Sequence, residues 1–160
     1  MSSWETIGMS DEWYTPKYVF DAMGEVHFDL DVASPACRTH VPCQNWYTQG
    51  SLDIAWYGFI WMNPPFGGRN GLVPWLDKFF KHGDGIALTP DRTSCPWYQD
   101  ALNRADAMLL VKGKIKFERP DGSVGKSPST GTTLWACGNT AKFALHSAED
   151  NGLGKYVELK

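Results

Sequence analysis

The feature that most constrains this chain is a short apolar run that ends at a polar residue and two prolines. Residues 56–62 (Trp-Tyr-Gly-Phe-Ile-Trp-Met) predict a buried strand, and Asn63-Pro64-Pro65-Phe66 follows it directly. Proline fixes its φ angle and has no backbone N–H, so the strand ends here in a rigid turn. Ligands of open α/β sheets bind outside the carboxyl ends of strands, which makes Asn63 a candidate functional residue.

The turn offers a particular set of hydrogen-bonding groups. Asn63 carries a side-chain carbonyl, and Pro64 contributes only its backbone carbonyl. Two neighbouring acceptors suit a planar –NH2 group, and Phe66 adds a flat apolar face on which a base can stack. The alternative is a proline-rich turn without a chemical role.

Strands and helices are predicted to alternate around this turn, which favours one α/β domain over residues 1–160, with residues 1–12 loose. The first helix is predicted to begin at Thr15 as N-cap, with Pro16 at its first position, and to stop at Gly24. Two further helices are predicted over residues 72–82 and 96–104. Strands are predicted over residues 26–31, 56–62, 85–89, 107–111, 114–117 and 132–136. The last strands follow one another without an obvious helix, which predicts an antiparallel edge.

Several classes of protein are disfavoured by the sequence. There is no apolar run of 18 residues and no start typical of a signal peptide, so we expect a cytoplasmic protein without a membrane span. The cysteines form no Cys-x-x-Cys pair, and we expect reduced thiols. The spacing of Cys37, His40 and Cys43 could be mistaken for a zinc site, but a clear fourth ligand is missing, so we expect no metal.

The net charge of −3 argues against indiscriminate coating of DNA, yet the basic residues are concentrated after residue 53. One cluster lies in a stretch that becomes rich in Pro, Gly and Ser, and such a patch can hold phosphates. The alternative interpretation is that the cluster is only the solvated face of a hairpin, without a binding role. The cluster consists of Lys112, Lys114, Lys116, Arg119 and Lys126.

Several motifs also occur in a characteristic order. Trp13-Tyr14-Thr15-Pro16 precedes the first helix, residues 28–34 close a strand, residues 50–56 lead to Asn63-Pro64-Pro65-Phe66, and residues 112–117 come later. Over roughly residues 13–138 this order resembles the bacteriophage-type DNA N6-adenine methyltransferase (Dam) family. The resemblance implies a reduced Rossmann-like fold of the S-adenosylmethionine-dependent methyltransferases, with a mostly parallel sheet and an antiparallel C-terminal edge.

The resemblance also implies which residues bind S-adenosylmethionine. The Thr15 hydroxyl and the start of the first helix would lie near the methionine carboxylate, Asp29 and Asp31 occupy the acidic cofactor motif, and Asp53 would contact the adenine ring. The alternative for Asp29, Asp31 and Asp53 is a structural role, in which the carboxylate caps a turn or ends a loop. There is no Gly-x-Gly loop after the first strand, where Ala33-Ser34-Pro35 stands instead. The implied cofactor residues are Trp13, Thr15, Pro16, Asp29, Asp31, Ala33 and Asp53.

For catalysis, the resemblance implies methylation of adenine N6 in DNA by Asn63, Pro64, Pro65 and Phe66. Asn63 Oδ1 and the Pro64 carbonyl would accept hydrogen bonds from the amino group and localise its lone pair, without a metal. The base must be flipped from the duplex, with Phe66 as its platform. Residues expected to hold DNA are Arg69, Arg92, Lys112, Lys114, Lys116, Arg119 and Lys126. The alternatives are N4-cytosine methylation and a catalytically idle DNA-binding module.

Overall fold

The computed structural model describes residues 14–37, 39–65, 70–125 and 128–160. Within these ranges the chain forms four α-helices, one 3-10 helix and a seven-stranded sheet. The helices are α1 Lys17–Ala22, α2 Leu72–His82, α3 Pro96–Arg104 and α4 Asn139–Asp150, with the 3-10 helix at Ser51–Asp53. The strands are β1 Phe28–Asp31, β2 Cys43–Trp46, β3 Ile60–Met62, β4 Gly85–Pro90, β5 Ala107–Val111, β6 Thr132–Cys137 and β7 Gly154–Glu158.

The sheet has the strand order β2-β1-β3-β4-β6-β5-β7. Strands β2, β1, β3 and β4 are parallel neighbours, whereas β6 is antiparallel to both β4 and β5, and β7 is antiparallel to β5. The predicted α/β class and antiparallel C-terminal part are therefore confirmed. The antiparallel part is larger than the expected edge, because β6 inserts between β4 and β5.

Helices cover both faces of the sheet, so the protein has three layers. Successive strand residues point to opposite faces, and Trp61 packs with α1 and α4, whereas Ile60 and Met62 pack with α2 and α3. Strands β4 and β6 alternate in the same way. No helix in the described ranges is long and apolar enough to cross a membrane.

The strand order reverses between β1 and β3. The chain leaves β1 toward β2 on one side and then crosses to the other side to form β3. In open α/β sheets such a reversal opens a crevice outside the carboxyl ends of the two strands. Here those ends carry Asp31 and, one residue beyond β3, Asn63. We call the side of the sheet formed by the carboxyl ends of β1, β3, β4 and β5 the carboxyl edge, and the opposite side the amino edge.

Several predicted elements agree with the structure in detail. Helices α2 and α3 have the predicted bounds, and so does β5. Helix α1 begins later than predicted, since Pro16 is its N-cap and Lys17 its first residue. The predicted strand over residues 56–62 is shortened to Ile60–Met62, because Gly58 adopts a φ of 71°, a left-handed conformation that interrupts extended backbone.

Other expectations about the strands were wrong or incomplete. Residues 114–117 form no strand: buried Ile115 and partly buried Phe117 pack on the core from a loop, which produces the alternating pattern without a ladder. The segment over residues 32–50, for which no helix or strand was predicted, contains β2. Helix α4 and β7 were not predicted, although Ala141, Ala144, Leu145 and Ala148 have helical spacing and form the buried face of α4.

Candidate active site at the carboxyl edge

Asn63 is a polar residue of the carboxyl edge and lies at the strand-order reversal. It follows β3 directly and is half-buried. The next residue, Pro64, is buried, and Pro65 is exposed. The side-chain Nδ2 of Asn63 donates a hydrogen bond of 3.1 Å to Thr15 Oγ1. Within the described residues no donor contacts Asn63 Oδ1. The amide therefore presents an acceptor, held by a bond on its other side, at the end of a buried strand.

Thr15 is itself fixed by its neighbours along the chain. It is 3% exposed. The preceding residue, Tyr14, exchanges two backbone hydrogen bonds with Glu118, at 2.7 and 2.9 Å, and the following residue, Pro16, begins α1. Val19 and Phe20 anchor α1 in the core. The sequence predicted that Thr15 caps the helix, but its hydroxyl makes no capping hydrogen bond and faces Asn63 instead.

Asp31 provides a carboxylate on the strand next to the one that leads to Asn63. It ends β1, where its register partner on β3 is Trp61, two residues before Asn63. The side chain is 2% exposed, and Oδ1 accepts the backbone N–H of Ala33 at 3.1 Å. A carboxylate only accepts hydrogen bonds, so a ligand group that contacts Asp31 would have to carry an N–H or O–H donor. The expected cofactor residues Asp31, Ala33 and Thr15 thus share the carboxyl edge.

The structure does not bring Asp29 to the same place. Its Oδ2 accepts the backbone N–H of Phe59 at 2.8 Å, just before β3 begins. Gly58 packs closely against this carboxylate, since a Cβ on Gly58 would lie 2.3 Å from Asp29 Oδ2. Asp29 therefore holds the segment that leads into β3, on the side of the sheet away from Asn63.

Asp53 lies on the exposed end of the 3-10 helix that precedes β3. The turn is held by Lys78 of α2, whose Nζ donates to the carbonyls of Ser51 at 2.9 Å, Leu52 at 3.0 Å and Ile54. Burial lowers the pKa of Lys78, and Asp53 partly offsets this by attraction. Lys78 thus fixes the turn that carries Asp53, a role with no signal in the sequence, because the three acceptors are backbone carbonyls.

The basic residues expected to contact DNA fall mostly on the same side of the sheet. Lys112, Lys114 and Lys116 are exposed on the connection from β5 to β6, which begins and ends at the carboxyl edge, and we call these three lysines the basic loop. Arg92 is exposed just after β4. Arg119 differs from the others, because its Nη1 donates within its own loop to Ser123 Oγ at 3.4 Å and Val124 O at 3.3 Å.

Four of the expected site residues lie outside the described ranges. They are Trp13, Phe66, Arg69 and Lys126. Their roles stay as predicted from the sequence.

The sequence did not single out a polar network at the exit of β4. Thr133 Oγ1 of β6 lies 2.7 Å from the Tyr98 hydroxyl and donates to Asp91 Oδ1. Gly131 allows this arrangement, since a Cβ there would lie 2.4 Å from Asp91 Oδ2. Burial is the main cause that raises the pKa of Tyr98. The three residues of this network are far apart in sequence. The pairing of β4 with β6 brings Thr133 to Asp91, and Tyr98 reaches Thr133 from α3.

No metal centre can be assembled from the described residues. Nowhere in those ranges do three His, Cys, Asp or Glu side chains converge in a way that could hold an ion. The cysteines in those ranges are free thiols. His40 of the Cys37/His40/Cys43 segment instead lies 3.0 Å from Glu118 Oε1 and joins the loop after β1 to Glu118.

Residues 4–135 match the family model described as DNA N-6-adenine-methyltransferase (Dam). No curated protein matches the chain. No solved structure matches it either.

Proposed function

The chain belongs to the DNA N-6-adenine-methyltransferase (Dam) family, and from this premise we propose that it transfers a methyl group from S-adenosylmethionine to the N6 amino group of adenine in DNA. The observation that carries the proposal is the Asn63 amide at the strand-order reversal. Its Nδ2 is bonded to Thr15, so Oδ1 is the amide atom left for a substrate. An acceptor at this place suits an exocyclic amino group, which is a donor.

The chemistry of Asn63 and Pro64 follows from the nucleophile. The N6 lone pair of adenine is delocalised into the ring, which makes the amino group planar and weakly nucleophilic. Hydrogen bonds from that group to Asn63 Oδ1 and to the Pro64 carbonyl favour a pyramidal nitrogen and localise the lone pair. Pro65 keeps the turn rigid, so the two acceptors are in place before the base arrives. Phe66 supplies the stacking platform for the flipped base.

The residues at the carboxyl edge fit the expected cofactor. S-adenosylmethionine, when bound, supplies the methyl group as an electrophile. It carries ammonium and hydroxyl donors, and the 2% exposed carboxylate of Asp31 at the strand-order reversal is an acceptor suited to them. Ala33, Thr15 and Pro16 lie on the same edge as Asp31. Trp13, Asp29 and Asp53 stay predictions as cofactor residues.

We propose that DNA lies across the carboxyl edge, over Asn63. The exposed basic loop and Arg92 are on that edge, where they can contact phosphates on either side of a flipped base. Arg69 and Lys126 are proposed for the same surface from the sequence. Arg119 is the weakest candidate, because its guanidinium is already bonded within its loop.

The proposed fold is a reduced Rossmann-like methyltransferase fold. It is supported by the four parallel strands, by helices on both faces, and by a strand-order reversal that coincides with Asp31 and Asn63. In such sheets the ligand site lies at the reversal.

The activity is tested with purified protein, labelled S-adenosylmethionine and unmethylated duplex DNA. The DNA is digested to nucleosides and the methylated product is identified by mass spectrometry. We expect N6-methyladenine from the wild type and almost none from Asn63→Ala, which should stay folded and still bind the cofactor. N4-methylcytosine as the product would assign the alternative base. DNA binding without methyl transfer or cofactor binding would show a catalytically idle module.

A further inference from the structure

We propose that Thr15 is a positioning residue for Asn63, a role distinct from the cofactor contact expected for it and one that rests on the proposed function. The sequence placed Thr15 with the methionine end of the cofactor. The structure instead directs its hydroxyl at the Asn63 amide, with Nδ2 to Oγ1 at 3.1 Å. The two residues are 48 positions apart in the chain, so only the fold brings them together.

The contact with Thr15 holds the amide with its nitrogen inward and its oxygen toward the substrate. An asparagine amide has a carbonyl oxygen that accepts and an –NH2 group that donates. The target amino group is a donor, so the outward amide atom must be the oxygen. A flipped amide would set –NH2 against –NH2, with no hydrogen bond between them. In the structure Thr15 Oγ1 accepts from Nδ2, which leaves Oδ1 for the target. With the amino group bound, this is the orientation in which both ends of the amide are hydrogen-bonded.

The surroundings of Thr15 hold its side chain and its backbone in place, as a positioning residue requires. Its side chain is 3% exposed, so water cannot readily replace the hydroxyl. The backbone is held on one side by the Tyr14–Glu118 pair and on the other by the start of α1. Glu118 belongs to the β5–β6 connection that also carries the basic loop, so the segment that fixes Asn63 is bonded to the segment proposed to hold DNA.

Thr15→Val tests the role, because valine keeps the shape of threonine and removes the hydroxyl. At saturating S-adenosylmethionine and DNA, we expect kcat to fall about 10- to 100-fold, the range expected when a reacting group is misplaced. The dissociation constant of S-adenosylmethionine, measured by calorimetry, should change less than about twofold. Thr15→Ser restores the hydroxyl and should recover most of kcat.

Thr39→Val is the matched control. Thr39 Oγ1 accepts the N–H of Val41, also at 3.1 Å, so this variant loses one threonine hydrogen bond of the same length away from Asn63. It should keep the wild-type kcat. If Thr15→Val weakens cofactor binding tenfold or more while kcat at saturation is unchanged, Thr15 is a cofactor ligand and the proposal is overturned. The proposal is also overturned if Thr15→Ser is as slow as Thr15→Val, because the hydroxyl would then not be the group that matters.

A measurement without turnover separates this proposal from the proposed function. The side-chain amide protons of Asn63 in ¹⁵N-labelled protein, assigned by their loss in Asn63→Ala, should exchange with solvent more slowly in the wild type than in Thr15→Val. Equal exchange rates overturn the positioning role, whether or not the protein methylates DNA. Slower exchange in a protein that transfers no methyl group would support the Asn63–Thr15 contact and reject the proposed function alone.

Discussion

Removing charge from the basic loop should change how DNA affinity depends on salt, and the structure sets the size of the effect. Lys114 and Lys116 are exposed on either side of Ile115, which is fully buried in the core. Their substitution by glutamine therefore removes two charges without disturbing the anchor of the loop. Each phosphate contact makes the negative slope of log affinity against log salt about 0.9 steeper, so losing two should make it about 1.8 less steep.

Over a fourfold rise in salt, from about 50 to 200 mM, a slope change of about 1.8 corresponds to roughly a 12-fold smaller loss of affinity. Fluorescence anisotropy with a labelled duplex, titrated at several salt concentrations, measures the slope directly. The methylated sequence should not change, because phosphate contacts position a protein without reading bases.

The matched control is Lys81→Gln with Lys160→Gln, which removes the same charge. Lys81 is exposed at the end of α2, and Lys160 follows β7, so both lie at the amino edge. This control should leave the salt slope close to that of the wild type. If both double variants shift the slope equally, the effect comes from net charge. If the basic-loop variant leaves the slope untouched, DNA lies on another face, and Arg69 and Arg92 become the residues to test.

Three further expectations follow from individual side chains. Asp31→Ala should weaken S-adenosylmethionine binding by roughly 1–3 kcal/mol in calorimetry, as for loss of a charged hydrogen bond, and unchanged affinity would place the cofactor elsewhere. Asp29→Ala leaves the Phe59 N–H without its acceptor and should lower the free energy of unfolding in urea by about 1–3 kcal/mol; equal stability would contradict that contact. Burial raises the pKa of Cys137 to about 12, so at pH 8 it remains a thiol, and iodoacetamide should modify exposed Cys37 well before it in the native protein. Equal labelling rates by mass spectrometry would refute this last expectation.

The elements predicted well are those whose signals are local. Helix α2 has apolar residues at helical spacing and a glycine directly after it, and α3 has a proline at its start. The strand before Asn63 was found because a buried parallel strand is a short apolar run closed by a turn. Its length was overestimated, since the run does not show that Gly58 must turn to accommodate the Asp29 carboxylate.

Elements defined by distant partners were missed. Strand β2 (Cys-Gln-Asn-Trp) has no apolar pattern, because it is an exposed edge strand that exists through its ladder with β1. The alternation at residues 114–117 imitates a strand, because Ile115 and Phe117 bury themselves against the core without pairing. The insertion of β6 between β4 and β5 depends on which strands pair, and no local pattern specifies that choice.

The sequence by itself determined the chemical groups of the candidate site: an amide and two prolines after a buried strand, an acid at the end of another, and clustered lysines. Their order along the chain also indicated the family. The tertiary structure alone decided which of these groups meet. The strand-order reversal places Asp31 and Asn63 on neighbouring strand ends, and the segment before α1 brings Thr15 to the Asn63 amide. Asp29 is only two residues from Asp31, but its carboxylate accepts the backbone N–H of Phe59 before β3 instead. Hydrogen bonds depend on distances of about 3 Å between atoms, and for residues far apart in the chain only the packed fold sets those distances.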